Sequence, residues 1–413
     1  MLIGSVADDI TGATDLSLML SRAGLRTLQV IGLPDGPLPD ADAVVIALKS
    51  RTIPAALAVE MSLTAAKALL QAGARQILFK YCSTFDSTDQ GNIGPVTEAL
   101  MDLTNSSLAI ACPAFPANGR TVYQGHLFVG TLLLSDSSMK DHPLTPMRDG
   151  NLVRVLQRQT RLPVGLLDSA TIAQGPAAIR AAFAKQAVPK RILVTDALSD
   201  ADLMTLGEAC ADMPLVTGGS GIALGLAANF TAIRPPVPAR MIAPKGRGAI
   251  LAGSCSLATR GQIAAAMAAG LPTLAVDVNA LAEGRLSATE IADWVVAQGT
   301  IPVVYSSADP ESLSTIQHHL GTAASGALVE QTLAEVARLL HDHGFSRFII
   351  AGGETSGAVV AALGVKMLEI GPEIAPGVPW TRSIGGPDLA LALKSGNFGA
   401  DDFFTKAWTL LDD

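Results

Sequence analysis

Short apolar runs alternate along the chain with stretches of helical periodicity. Met1–Ala7, Thr27–Ile31, Ala43–Leu48, Ile77–Phe79, Leu108–Ala111, Val164–Leu167, Arg191–Thr195 and Pro214–Thr217 are apolar or nearly so. Runs of this length read as strands buried on both faces, the habit of a parallel sheet. Helical patterns fall at Leu16–Leu20, Ala56–Ala72 and Ile222–Ala228. Cys112–Leu162 breaks the rhythm, with weak periodicity and many turn residues. Arg234–Gly248 holds four prolines and reads as a linker. Beyond it, strands are predicted at Ala249–Ala252, Thr273–Val276, Ile301–Tyr305, Phe348–Ala351, Met367–Ile370 and Leu389–Leu393. Gly371–Gly386, rich in Pro and Gly, reads as a loop; Trp380 within it reads as packing, with base stacking as the alternative. Asp401–Leu411 reads as a helix. Repeated β–loop–α units predict an α/β chain of two domains, 1–233 and 249–413, joined by the linker 234–248. Each domain is expected to be a mainly parallel sheet flanked by helices, with a cleft between the two.

The sharpest punctuation is Phe348–Gly357, where four apolar residues run into Gly352-Gly-Glu-Thr-Ser-Gly357. A strand, a glycine loop and a helix over Ala358–Leu363 are predicted. Free N–H groups at a helix start, together with its dipole, favour an anion. Gly352, Gly353 and Gly357 permit close backbone approach, and Thr355 and Ser356 suit a helix cap or a phosphate contact. An ordinary capped βα turn has the same appearance. However, the pattern recurs at Ala249–Ser256 and Leu389–Gly399. Three such strand ends fit a nucleotide crevice at the carboxyl edge of an open sheet.

The polar strand ends of the first half have a different chemistry. The first strand runs into Asp8-Asp9-Ile-Thr-Gly-Ala-Thr-Asp15. One carboxylate, or Thr11, can cap the following helix; adjacent residues cannot both do so, which leaves a carboxylate for substrate or metal. Lys49-Ser-Arg51-Thr52 closes another strand, and Lys80-Tyr-Cys-Ser-Thr-Phe-Asp-Ser-Thr88 closes a third. Lys80 directly after a buried strand is costly unless paired, and it suits a carboxylate. Ser83, Thr84 and Asp86 suit the hydroxyls of a small polyol acid, although a polar surface loop would read alike. Arg120, His126, Lys140, Asp141, His142 and Arg148 in the irregular stretch suit an anionic substrate.

Composition narrows the classes. The chain is 49% apolar and 16% charged, which permits large cores and argues against disorder. A net charge of −8 disfavours nucleic acid as the main partner. No apolar run is long enough to span a membrane, and no basic leader precedes the first strand. Cys82, Cys112, Cys210 and Cys255 have no paired spacing, as expected of reduced thiols and a cytoplasmic setting. His318-His319 and His341-x-His343 lack zinc-site spacing.

Glycine loops in one domain and carboxylates, hydroxyls and cations in the other suit phosphoryl transfer. Such transfer needs an acid to take the acceptor proton, cations for the moving charge, and usually Mg²⁺. Asp9, Asp8 and Asp86 are the candidates for the first role, in that order. There is no G-x-x-x-x-G-K-[ST] of a P-loop and no G-x-G-x-x-G followed by an acid on the next strand. Asp9-x-Thr11 is the tail of an aspartyl-phosphatase pattern, but Ala7 stands where its nucleophile would be.

Val6-Ala-Asp-Asp-Ile-Thr-Gly-Ala13, Lys49-Ser-Arg51, Phe79-Lys-Tyr-Cys-Ser-Thr-Phe-Asp-Ser87, Cys112-Pro-Ala-Phe-Pro-Ala-Asn-Gly-Arg120, Gly253-Ser254, Gly352–Gly357 and Lys394-Ser-Gly-Asn-Phe-Gly399 resemble, in order and over essentially the whole chain, the four-carbon acid sugar kinases. Among these the chain is most similar to the 3-oxo-tetronate 4-kinases. The resemblance implies ATP-dependent phosphorylation of the 4-hydroxyl of a 3-oxo-tetronate. It maps nucleotide contacts onto Ser254, Gly353, Glu354, Thr355, Ser356 and Gly396. The N-terminal domain would hold the acid sugar, with Arg51, Lys80, Tyr81, Ser83, Thr84 and Arg120 as candidate contacts. ATP and Mg²⁺ are the expected cofactors and a small acid sugar the expected partner; a homodimer is compatible with the sequence. Sister enzymes act on erythronate or threonate, and a non-catalytic nucleotide and sugar-acid sensor would share the architecture.

Overall fold

The computed structural model describes residues 1–142, 144–186, 190–231, 241–306 and 322–411. The chain divides into two compact units, Met1–Pro238 and Ala239–Asp413. Residues 234–240 of the proline-rich segment and His318-His319 lie outside the described residues.

The first unit contains β1 (Ile3–Ala7), β2 (Thr27–Ile31), β3 (Ala43–Ala47), β4 (Gln76–Lys80) and β5 (Leu108–Cys112). A small antiparallel sheet follows: β6 (Arg120–Tyr123), β7 (His126–Val129) and β8 (Leu132–Leu133). This sheet lies inside the stretch read as irregular. Its strands are too short, and too exposed on one side, to show a buried apolar run. β9 (Val164–Leu167), β10 (Arg191–Thr195) and β11 (Leu215–Gly218) complete the main sheet. Its order is β2–β3–β1–β4–β11–β5–β10–β9, parallel throughout. β1, β3, β4 and β5 are buried at every position, which is why they read as unbroken apolar runs. From β1 the chain winds to β2 and β3 on one side, then crosses to β4 on the other. The winding therefore reverses between β1 and β4, and an open α/β sheet places its ligand site outside such a reversal.

The second unit contains β12 (Arg247–Ala252), β13 (Thr273–Ala275), β14 (Val303–Tyr305), β15 (Phe345–Ala351), β16 (Met367–Ala375), β17 (Val378–Ile384) and β18 (Ala390–Lys394). The order is β13–β14–β12–β15–β18–β17–β16. β13 to β18 along this list are parallel, and β17 is antiparallel to both its neighbours. β12 starts at Arg247, inside the expected linker. Winding reverses here between β12 and β15. Ile250, Ala252, Ile349, Ala351, Ala390 and Ala392 pack with Phe403 and Phe404 to form the core.

Gly371–Gly386 is a hairpin rather than a loop. β16 runs on to Ala375, Gly377 turns with φ +80°, and β17 returns. The register shifts on either side of Glu373, which lets prolines sit in a sheet that would otherwise need their missing N–H groups. Trp380 is fully buried, donates from Nε1 to the Ala407 carbonyl at 2.8 Å and lies 5.4 Å from the Trp408 ring. Packing, not base stacking, occupies it. The C-terminal helix is only Phe403–Lys406, followed by a 3₁₀ turn over Ala407–Leu410.

Helices Asp200–Ala209 and Ile222–Thr231 meet backbone to backbone. A Cβ on Gly207 would lie 2.1 Å from the Gly225 carbonyl carbon, and one on Gly225 would lie 2.1 Å from the Leu203 carbonyl oxygen. Gly207→Ala is expected to lower unfolding stability by about 1–3 kcal/mol, the usual penalty of overpacking. A urea melt checks it; an unchanged midpoint would mean the helices separate freely.

Candidate active site

At the reversal in the first unit, the ends of β1, β3 and β4 converge on one guanidinium. Arg51 Nε and Nη2 donate to Asp8 Oδ2 and Oδ1 at 2.9 and 2.8 Å. Nη2 also donates to Asp9 Oδ1 at 2.6 Å, and Nη1 lies 3.8 Å from Asp86 Oδ2. The backbone sets up this meeting. The amides of Ser50 and Arg51 donate to the Asp8 carbonyl, and the Asp8 amide donates to the Lys80 carbonyl, continuing the ladder past the strand ends. Asn92 Nδ2 ties down the carbonyls of Ser50, Arg51 and Ile53 at 2.7, 3.1 and 3.0 Å. No sequence signal singled out Asn92, because its work is to hold a loop distant in the chain.

Asp9 is the N-cap of the helix Ile10–Arg22, accepting from the Gly12 amide at 3.1 Å and from Thr11 Oγ1 at 2.8 Å. Burial raises its pKa, but Arg51 and then Lys80 outweigh burial and hold the carboxyl below its usual range. Burial pushes the Asp8 carboxyl up against the pull of Arg51. The bidentate contact to a group that does not surrender its proton keeps that pair ionic. With both oxygens engaged by Arg51, Asp8 is placed to orient the guanidinium rather than to take a proton. Asp86 accepts from Thr84 Oγ1 at 2.6 Å. Phe85 and Asp86 have φ of +66° and +40°, a rare conformation for such residues. Phe85 is held there by burial against Tyr81, with ring centroids 5.6 Å apart. The strain turns Asp86 toward Arg51.

Lys80 is only 3% exposed, and among the described residues neither a hydrogen bond nor an ion pair within 4 Å reaches its ammonium. A Cβ on Gly12 would lie 2.7 Å from Lys80 Nζ and 2.3 Å from Asp9 Oδ1, so glycine is what lets both head groups reach the helix start. A nearly buried ammonium of this kind suits an anionic ligand. Tyr81, expected to touch substrate, does not present itself. It is fully buried between Phe79 and Phe85, and its hydroxyl is 3.1 Å from Thr217 Oγ1. Ser83 and Thr84 are nearly buried in the same loop. Arg120 donates from Nη1 to the Asn118 carbonyl and lies close enough to Asp15 to act on its charge. Arg148 and Arg158 line a cavity of about 510 Å³ beside Ser87 and Thr88.

Asp15 was not among the expected site residues. It is 5% exposed, accepts from Ser220 Oγ at 2.6 Å through Oδ2, and leaves Oδ1 buried without a protein partner. Burial pushes its carboxyl up to about 6, against the opposing effects of Lys80 and Ser220.

At the reversal in the second unit, the three glycine loops pack on one another. A Cβ on Gly253 would lie 2.2 Å from Thr355 Oγ1, one on Gly352 3.3 Å from the Ser254 amide nitrogen, and one on Gly396 2.3 Å from Ser254 Oγ. Ser256 caps the helix Leu257–Ala268 through the Thr259 amide. The expected loop at 352–357 is instead helix from Gly353 onward, with Gly352 as N-cap at φ +126°. A glycine with that φ turns strand into helix with no intervening residue, so Thr355 and Ser356 sit buried in the first turn instead of capping it. Gly353 is exposed and Glu354 half-buried at the helix start. The first-turn N–H groups remain unsatisfied by the helix itself. Among the described residues, no cluster of three His, Cys, Asp or Glu could hold a metal, and no helix is long and apolar enough to cross a membrane.

Comparison with known proteins assigns a family to each half. Residues 3–226 match the sugar-binding N-terminal domain family and residues 249–404 the nucleotide-binding C-terminal domain family. A 3-oxo-tetronate kinase of Pseudomonas fluorescens is 54% identical over 98% of this chain and 96% of its own. One from Burkholderia multivorans is 54% identical over 100% and 97%. A solved protein of Salmonella typhimurium LT2 superposes with a TM-score of 0.86 at 43% identity over 98% of both chains. Haemophilus influenzae protein HI1011 gives 0.78 at 42% identity over 99% and 100%.

The raised pKa of Asp15 has a stability consequence. Between the ordinary value of 3.8 and about 6, the folded chain holds the proton and the unfolded chain does not. Raising pH through that window therefore weakens folding, and above it the whole cost remains. Asp15→Asn is expected to gain stability relative to the parent between pH 4 and pH 6.5, by up to about 3 kcal/mol. Urea melts of both proteins at the two pH values measure this; a constant difference would mean Asp15 titrates normally.

Proposed function

The chain belongs to the four-carbon acid sugar kinase family, and on that premise we propose that it transfers the γ-phosphoryl group of ATP to the 4-hydroxyl of a 3-oxo-tetronate. It is a kinase with a nucleotide-binding C-terminal domain. The observation that carries the substrate side is Lys80: a nearly buried ammonium with no protein acceptor, set beside Asp9 at the reversal of the first sheet. It would take the sugar-acid carboxylate, with Arg120 as a second cation and Ser83 as a hydroxyl partner.

Asp9 would receive the acceptor's proton. Arg51 and Lys80 keep it a carboxylate at neutral pH, which makes it a weak base. A weak base suffices where the transferring phosphoryl group is loosely bonded and the proton leaves late. The bond from the sugar oxygen to phosphorus forms, the bond from phosphorus to the β-phosphate oxygen breaks, and the proton passes to Asp9 Oδ2, which meets the Thr11 hydroxyl and not Arg51. Asp8 and Asp86 would hold Arg51 in place, and Arg51 would in turn fix Asp9. Ser254, Gly353, Glu354, Thr355, Ser356 and Gly396 would receive the nucleotide, the first-turn amides of the helix Gly353–Ala362 facing its phosphates. Mg²⁺ usually arrives on phosphates with one or two carboxylates. Glu354 would be its protein ligand, and the ion would neutralise charge on the phosphates. Four cysteines, none of them in a disulfide, suit a cytoplasmic setting.

Asp9→Asn is expected to lower kcat by at least about 100-fold while ATP still binds, the range of a lost general base. Unchanged turnover would remove Asp9 from the role and pass it to Asp86. Substrate identity is tested by ADP release with Mg²⁺ and ATP across D- and L-erythronate, D- and L-threonate and their 3-oxo forms. Release with a 3-oxo acid alone is expected. Release with an unoxidised acid would keep the family and change the substrate. No release, with ATP bound, would favour a sensor.

A further inference from the structure

Lys394 ends β18 and is completely buried. Its Nζ lies 2.9 Å from the carbonyl oxygens of Ser395 and Gly396, 3.0 Å from that of Phe398 and 3.2 Å from Thr259 Oγ1. Among the described residues no carboxylate pairs with it. Burial alone pushes its ammonium down to about 7. The surrounding oxygens oppose this, because a neutral amine would turn its lone pair toward one of them.

The same carbonyls collect further donors. Ser256 Oγ and Thr259 Oγ1 reach the Gly396 oxygen at 2.6 and 3.0 Å. Gln262 Nε2 reaches those of Phe398, Gly399 and Ala400 at 3.0, 3.0 and 3.1 Å. The carbonyls of this loop therefore turn inward, toward the lysine and the helix Leu257–Ala268. In a planar trans peptide the N–H opposes the C=O. The amides of Gly396 and Asn397 must then face away from Lys394. Neither has a partner among the described residues, and Asn397 is exposed. Successive outward N–H groups form an anion-binding concavity. This one abuts Ser254, since only the missing Cβ of Gly396 allows that approach.

We propose that Lys394 is a positioning residue for the nucleotide phosphates: a cation buried behind the loop that never touches the ligand, but holds the carbonyls inward and so presents the Gly396 and Asn397 amides to an anion. The reason for a lysine is geometric. One head group satisfies three carbonyls at once, whereas an apolar side chain would leave inward oxygens unpaired, and the peptide groups would rotate to find water.

The proposal rests on the second unit binding ATP and is independent of which acid the enzyme phosphorylates. Lys394→Met and the milder Thr259→Val are compared with the parent in the full-length chain. Affinities for ATP and for adenosine, which lacks phosphates, are measured by calorimetry and competition, and folding by thermal melt. Lys394→Met is expected to weaken ATP by about tenfold or more, roughly 1.4 kcal/mol, and to leave adenosine within about twofold. Thr259→Val is expected to show a smaller loss with the same selectivity, and it decides the matter if Lys394→Met does not fold. Equal weakening of ATP and adenosine would reduce Lys394 to a structural role, and unchanged ATP affinity in folded protein would overturn the proposal. Failure of the parent itself to bind ATP would instead overturn the nucleotide reading on which it rests.

Discussion

Arg51 is the point on which the first unit's site depends. One planar guanidinium faces Asp8, Asp9 and Asp86, which arrive from the ends of two different strands. Three carboxylates gathered without it would repel one another and take up protons. With it, Asp8 is spent as an anchor and Asp9 is held as an anion at a helix start. Removing one partner of such a buried arrangement is far more costly than its net contribution suggests, because the remaining charges stay buried. Charge balance therefore limits what each acid can do before any substrate is considered.

The two units solve the same topological problem with different materials. Each sheet reverses its winding beside its first strand, between β1 and β4 and between β12 and β15, and each places its polar ends there. In the first unit the ends carry side-chain charge. In the second they carry bare backbone, and three glycines remove Cβ atoms that would collide with Ser254 or Thr355. Side-chain charge suits a small acid with few atoms to hold. Backbone amides suit a phosphate chain that must be approached closely on several sides.

Two buried lysines illustrate how the same residue serves opposite ends. Among the described residues no hydrogen bond reaches the Lys80 ammonium, which lies nearly out of water. Lys394 is saturated by three carbonyls and a hydroxyl. The first is a vacancy in the hydrogen-bonding pattern that a ligand can fill. The second is a fastener with nothing left to offer. Both are the last residue of a buried strand, and nothing in the local sequence separates them.

The sequence by itself determined the α/β class, most of the parallel strands and the positions of the polar ends, because strands buried on both faces leave continuous apolar runs. It also located Asp8, Asp9, Lys80, Asp86 and the three glycine loops. It did not reveal β17, since Pro and Gly at bulges and a hairpin turn look like loop residues until register is known. It placed Tyr81 at the site, where packing against Phe79 and Phe85 withdraws the ring. It passed over Asn92, Asp15 and the clamp around Lys394. Their partners lie as far away in the chain as Ser220 from Asp15 and Thr259 from Lys394. Periodicity and local motifs report which atoms a residue carries and which face it occupies. Only tertiary structure decides which buried charge has a partner, and in this protein that decides which residues anchor and which remain available for chemistry.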